Sequence, residues 1–237
     1  MNNQNIKDIP SFIKVVVIGF GASGIAASIE LAKYKIPFIV LEKEKTYGGC
    51  WNNAIDTSCL QTHRSCYKFY DVEYDKGVGN FPNKKEILSY LKKSIGLFDI
   101  QKRVFYNVNA SIKKGNEMGN WIIKIADFKV IYCNHILVCS GVNFRPNIPK
   151  YEQLNFNIIK KNKNQLRVIH SKDFSEFIKI NENYLSKKRK IIIVGNGASC
   201  CDILKNISSL GNYKNSELIV FYRSDKYYLP KYIFGIP

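Results

Sequence analysis

Lys14-Val-Val-Val-Ile-Gly19-Phe-Gly21-Ala-Ser-Gly24 decides the fold of this chain. A β-branched run closed by a glycine is the pattern of a strand buried on both faces of a parallel sheet. Ala22 to Tyr34 then reads as a helix with Ile25, Ile29 and Ala32 on one face, and Pro37 to Leu41 as a second buried strand. Strand, glycine turn, helix and strand make one βαβ unit. The spacing Gly19-x-Gly21-x-x-Gly24 is the dinucleotide fingerprint. Gly19 permits a tight turn, Gly21 lets the backbone approach a pyrophosphate, and Gly24 lets helix and strand pack closely. The helix N-terminus, with Ala22 and Ser23 in its first turn, offers amide donors and a positive dipole end to phosphates. Glu42 ends the second strand 18 residues beyond Gly24, with Lys43 next to it. An acid there accepts hydrogen bonds from ribose hydroxyls.

The same order returns about 175 residues later. Lys190 leads into the strand Ile191–Gly195, a helix follows from about Ala198 to Leu210, and Leu218 to Tyr222 is the next strand. Its turn is Gly195-Asn-Gly197-Ala198-Ser199-Cys200, with cysteine in the place of the third glycine. That place governs helix–strand packing, so a small side chain is tolerable. The second strand ends in Arg223, Ser224 and Lys226 rather than in an acid. An acid repels a 2′-phosphate, whereas arginine and serine bind one. Arg223 also has a plainer reading, as a surface arginine. On the first reading the two sites differ: the first suits a free ribose, the second NADPH. Two dinucleotide sites in one chain imply hydride transfer to a second redox cofactor, and FAD first with NADPH second is the economical assignment.

Between the two units, residues 48–80 read as loop, rich in aromatics and cysteines. Lys84 to Phe98 reads as an amphipathic helix, with Ile87, Leu88, Leu91, Ile95 and Phe98 at helical spacing. Short alternating segments are expected around Val104–Ile112 and Trp121–Ala126, with a turn at Gly115 and Gly119. A further strand is expected over Val130–Ser140, closed by Gly141, Pro146 and Pro149. Residues 150–165 are polar and suit a domain crossing. The expected fold is therefore α/β, with two Rossmann-like dinucleotide-binding domains: residues 1–150 for FAD and 151–237 for NADPH. A doubly wound domain needs more parallel strands than follow Leu218–Tyr222. The second domain thus reads as incomplete and the chain as C-terminally truncated.

Composition narrows the function. Hydrophobic residues at 46% and charged residues at 23% are those of a globular protein. No run approaches the ~20 apolar residues of a membrane span, and the polar N-terminus is no secretory leader, so a cytoplasmic location is expected. The net charge of +17 suits an anionic partner or a compositional drift toward Lys, Asn and Ile. Its lysines are scattered and no nucleic-acid motif accompanies them, so no nucleic-acid partner is expected. Seven cysteines at 50, 59, 66, 133, 139, 200 and 201, with three histidines, give no zinc spacing. No metal site is expected, and the thiols read as reduced.

These motifs together resemble the flavin-containing monooxygenases, over nearly the whole chain. Gly48-Gly49-Cys50-Trp51 is similar to that family's GGxW, which makes Gly49 and Trp51 cofactor-binding candidates. Leu60 to Phe69, Asn80-Phe-Pro82, Val138-Cys-Ser-Gly141 and Leu229 to Gly235 resemble further family segments. The family fingerprint FxGxxxHxxx followed by Tyr or Phe is half kept: His170 and Phe174 match, while Asn164 and Leu166 replace its Phe and Gly. Phe174 suits the heteroatom-oxygenating branch, since the Baeyer–Villiger branch carries Trp there. His170 reads equally as a structural histidine.

His63 stands near where some members place a flavin-side Asn, which makes it a catalytic candidate against a pocket-lining or surface role. The resemblance implies an NADPH domain inserted in the FAD domain. It also implies an oxygenase that uses NADPH and O2 on a soft nitrogen or sulfur nucleophile of a small-molecule substrate, through a C4a-hydroperoxyflavin. In that cycle the protein supplies binding, alignment and water exclusion. The alternatives are an inactive truncated member and a flavin disulfide reductase. The latter needs a CxxC or CxxxxC pair, and the fifth residue after Cys50 is Ile55.

Overall fold

The computed structural model describes residues 6–115, 120–125, 129–142, 146–147, 168–180, 190–209, 216–234 and 237. They group into two compact units: residues 1–52 with 59–144, and residues 53–58 with 145–237.

The first unit is built on the opening strand. β1 (Phe12–Ile18) is followed by α1 (Ala22–Lys33) and β2 (Phe38–Leu41). Val15, Val16 and Val17 and all four residues of β2 are buried, which is why both read as unbroken apolar runs. β1 lies between β2 and β6 (Lys129–Val138), parallel to both, and β3 (Val104–Phe105) extends the sheet parallel to β2. On the other side of β6, β5 (Trp121–Ile125) and β4 (Ala110–Lys114) add antiparallel strands, giving the order β3-β2-β1-β6-β5-β4. Val104–Ile112 is thus two strands on opposite edges of the sheet. The break falls at Asn107, whose φ of +58° is a left-handed conformation that asparagine tolerates.

One face of this sheet packs on α1 and α3 (Lys84–Leu97), around Phe20, Ile25, Ile29, Ile87, Leu91 and Ile95. Asn83 caps α3 in a capping box: its side chain accepts from Glu86 N, and Glu86 accepts from Asn83 N at 2.8 Å, worth about 1 kcal/mol. Tyr90 joins the buried face, stacked on Tyr74 at 4.1 Å between ring centroids. The loop region carries a one-turn helix, α2 (Cys50–Asn53), and a 3-10 turn at Arg64–Cys66. The other sheet face packs around Val16, Ile39, Leu41, Ile123, Ile131 and Cys133. Burial there pushes the Cys133 thiol up to about 11.

The second unit holds β7 (Lys190–Val194) and β8 (Glu217–Phe221), paired in parallel, with α5 (Ala198–Ser209) between them in sequence. Its core gathers Ile193, Cys200, Ile203 and Ile207 with Phe174 of α4 (Phe174–Ile180) and Ile55. Segment 53–58 is tied in by polar contacts. Ser58 Oγ donates to Asp202 Oδ2 at 2.7 Å, Thr57 Oγ1 to the Asp202 carbonyl at 3.2 Å, and Lys179 pairs with Asp56 at 3.4 Å. Gly119, Ala126, Pro149, the crossing at 150–165, Asn164, Leu166 and Leu210 lie outside the described residues.

Candidate dinucleotide sites

At the first turn, two of the three glycines are required by the fold itself. Gly19 has φ +98°, and a Cβ there would lie 2.6 Å from the carbonyl oxygen of Cys139. A Cβ at Gly24 would lie 1.9 Å from the Gly19 carbonyl oxygen, so α1 reaches the strand only through a glycine. Gly21 is different. Its backbone is extended, at φ −78° and ψ −169°, and a Cβ would meet only Gly49, its Cα at 3.5 Å and its N at 3.8 Å, which are ordinary contacts. Gly21 is also the N-cap of α1 and supplies no side-chain cap. The first-turn amides of Ala22, Ser23 and Gly24 are therefore left for another acceptor, in the arrangement that binds anions.

Glu42 closes this turn from β2. It is buried, with 4% of its surface exposed. Its Oε2 accepts from the Phe20 amide at 2.5 Å and its Oε1 from the Glu44 amide at 2.8 Å. A carboxylate has about four lone-pair positions, so both oxygens keep capacity for a hydroxyl donor. Lys43 is exposed and lies 3.8 Å from Glu44.

A second glycine loop packs on the first turn. The Gly48 amide donates to the Phe20 carbonyl at 3.0 Å, and a Cβ at Gly49 would lie 3.0 Å from the Gly21 Cα. Both glycines have positive φ, at +109° and +55°. Trp51 follows, held by its Nε1 donating to the Tyr67 hydroxyl at 2.8 Å with the rings edge to face. Burial pushes the Tyr67 phenol up from its ordinary value. Sequence reasoning missed Tyr67, because nothing in a loop-like stretch marks which aromatic will face Trp51. His63 caps the turn Arg64–Cys66: its Nδ1 accepts from the Ser65 amide at 3.3 Å, and its ring meets Phe81 edge-on.

The second turn repeats the first with looser surroundings. The Gly195 amide donates to the Phe221 carbonyl at 2.7 Å, as Gly19 does to Leu41 at 2.8 Å. Gly195 has φ +107°, which favours glycine, but a Cβ on either Gly195 or Gly197 would meet nothing within 4 Å. Cys200 turns inward among Ile193, Ile203 and Ile207, with Ala198 and Ser199 before it in the first turn of α5. Arg223 and Ser224 follow β8 and are exposed. Asn196 Nδ2 donates to the Ser224 carbonyl at 3.0 Å, which brings their loop onto the turn. His170 caps the turn Ser171–Asp173 through Nδ1, and Phe174 is buried in the core of this unit. Among the described residues, no group of three or more His, Cys, Asp or Glu could hold a metal. No described helix is long and apolar enough to cross a membrane.

Two βαβ units, one turn closed by an acid and the other followed by an arginine, give the chain a paired Rossmann-like architecture. The chain belongs to the pyridine nucleotide-disulphide oxidoreductase family, whose profile matches residues 13–232.

Its similar proteins include flavin monooxygenases. A probable indole-3-pyruvate monooxygenase of Arabidopsis thaliana, YUCCA7, is 24% identical over 231 residues, covering 93% of this chain and 49% of its own length. The FAD-dependent monooxygenase DEP4 of Fusarium langsethiae is 28% identical over 85% of this chain and 34% of its own. The chain thus spans about half, or less, of the length of such relatives. Among solved structures, a flavin-containing monooxygenase from Stenotrophomonas maltophilia superposes with a TM-score of 0.67 at 17% identity, over 93% of this chain and 61% of its own. The bacillithiol disulfide reductase Bdr of Staphylococcus aureus superposes with a TM-score of 0.65 at 17% identity, over 92% and 59%. The fold is therefore common to oxygenases and disulfide reductases.

Proposed function

We propose that this chain binds FAD at the Gly19–Gly24 turn and NADPH at the Gly195–Cys200 turn. On this reading it is an NADPH- and O2-dependent monooxygenase acting on a soft nitrogen or sulfur nucleophile of a small molecule. The observation that carries the reading is the second glycine of each fingerprint. Neither Gly21 nor Gly197 is required by backbone conformation or by a neighbouring atom. Both stand where a pyrophosphate must approach the backbone.

Each protein group has a distinct role. The uncapped first turn of α1, with Ala22, Ser23 and Gly24, receives the FAD pyrophosphate. Glu42 accepts from the ribose, while Lys43, Gly49 and Trp51 line the same side. Ala198 and Ser199 receive the NADPH pyrophosphate, and Arg223 with Ser224 binds its 2′-phosphate. Held by these residues, a flavin would supply the chemistry that the side chains lack: acceptance of a hydride from NADPH and activation of O2, with one oxygen atom going to the nucleophile and the other to water.

The absence of a CxxC or CxxxxC cysteine pair favours oxygenation over disulfide reduction. The test is a visible spectrum of the purified protein, followed by NADPH under air. A near-stoichiometric flavin band that bleaches with NADPH and consumes O2 supports the reading. Disulfide reduction without O2 uptake contradicts it, and so does a protein that takes up no flavin.

A further inference from the structure

Asn196 occupies the variable position between Gly195 and Gly197. Its side-chain amide donates to the Ser224 carbonyl at 3.0 Å, and its own carbonyl accepts from the Tyr228 hydroxyl at 2.7 Å. The segment after β8 is thus fastened to the glycine turn at two points, on either side of Asp225, Lys226 and Tyr227. The corresponding position in the first unit is Phe20, a fully buried apolar residue whose amide is held by Glu42. The first unit fixes its turn by an acid, the second by an asparagine.

We propose that Asn196 is a specificity-determining positioning residue: by holding Ser224 and Tyr228 on the turn, it sets where Arg223 and Ser224 present donors to the 2′-phosphate of NADPH. The proposal rests on the assignment of the second turn to NADPH. Arg223 is exposed and follows directly on the strand. A guanidinium on an unfastened loop must be ordered at the moment of binding, which costs affinity, and its pairing with phosphate is directional. A loop ordered beforehand avoids that loss.

The experiment compares adenosine 2′,5′-bisphosphate with 5′-AMP by calorimetric titration of the full chain. The wild type binds the bisphosphate more tightly, and R223A loses that preference. The double variant N196L/Y228F is expected to lose roughly tenfold or more in the ratio of the two affinities, both measured on the same variant. Y228F alone is expected to fall between. If the double variant keeps the wild-type preference while R223A loses it, the proposal fails and the NADPH assignment stands. A wild type that does not distinguish the two nucleotides overturns both. A readout without nucleotide is trypsin cleavage after Arg223 and Lys226, expected to be faster in the double variant. Equal rates in a double variant of unchanged circular dichroism contradict the proposal.

Discussion

The two glycine turns share one sequence pattern and solve one packing problem in opposite ways. In the first, helix and strand meet so closely that Gly24 has no room for even a methyl group, and the acid Glu42 reaches across to bond the turn. In the second, a cysteine fills the equivalent place and contributes to the core, while Gly195 and Gly197 face open space. A fingerprint glycine can therefore be required by the fold, by the ligand or by both. Only structure separates these cases: Gly19 and Gly24 are required by the fold, whereas nothing in the fold requires Gly21 or Gly197, the two glycines that the proposed function assigns to a ligand.

Substitutions at equivalent positions can break this comparison. Gly24→Ala forces α1 away from the Gly19 carbonyl and is expected to destabilise the first unit by about 3 kcal/mol or more. Cys200→Gly leaves only a small cavity, costing about 1–2 kcal/mol. Chemical denaturation of each variant measures the difference, and equal losses would contradict the account. Glu42→Gln places an amide donor against the Phe20 or Glu44 amide, with an expected loss of about 2 kcal/mol that the folded chain shows even without nucleotide.

A pH effect sharpens the contrast further. Burial raises the folded-state pKa of Tyr67, Tyr74, Tyr90, Tyr106 and Cys133 in the first unit, against Cys200 alone among the described buried groups of the second. The folded chain then holds protons that the unfolded chain releases. Stability is full below the unfolded values and falls as pH rises from about 9 for Cys133 and about 10 for the tyrosines. Near-ultraviolet circular dichroism, which reports the tyrosine cluster, is expected to lose signal in alkali; a flat profile to pH 11 would contradict this. Smallest in stability is Gly197→Ala, expected to lie within about 0.5 kcal/mol of wild type while abolishing NADPH binding.

Much of the fold was legible because local pattern and tertiary role agree. The buried runs of β1 and β2 and the face of α3 carrying Ile87, Leu91 and Ile95 follow from periodicity alone. Long-range placement was not legible. Ile55 sits in a loop-like stretch, yet it belongs to the core of the second unit, because Asp202 draws Ser58 and Thr57 to α5. No local signal marks that pairing across 144 residues. Spacing alone is enough to propose the glycines, Glu42 and Arg223. It does not reach Asn196 and Tyr67, since each acts through a partner that only folding brings near.

Gly21→Ala separates fold from ligand in one preparation, by thermal unfolding and by flavin content. Stability within about 1 kcal/mol of the wild-type apoprotein is expected, together with loss of the flavin band. An alanine variant that keeps stoichiometric flavin would contradict this expectation, and so would one that unfolds as readily as Gly24→Ala.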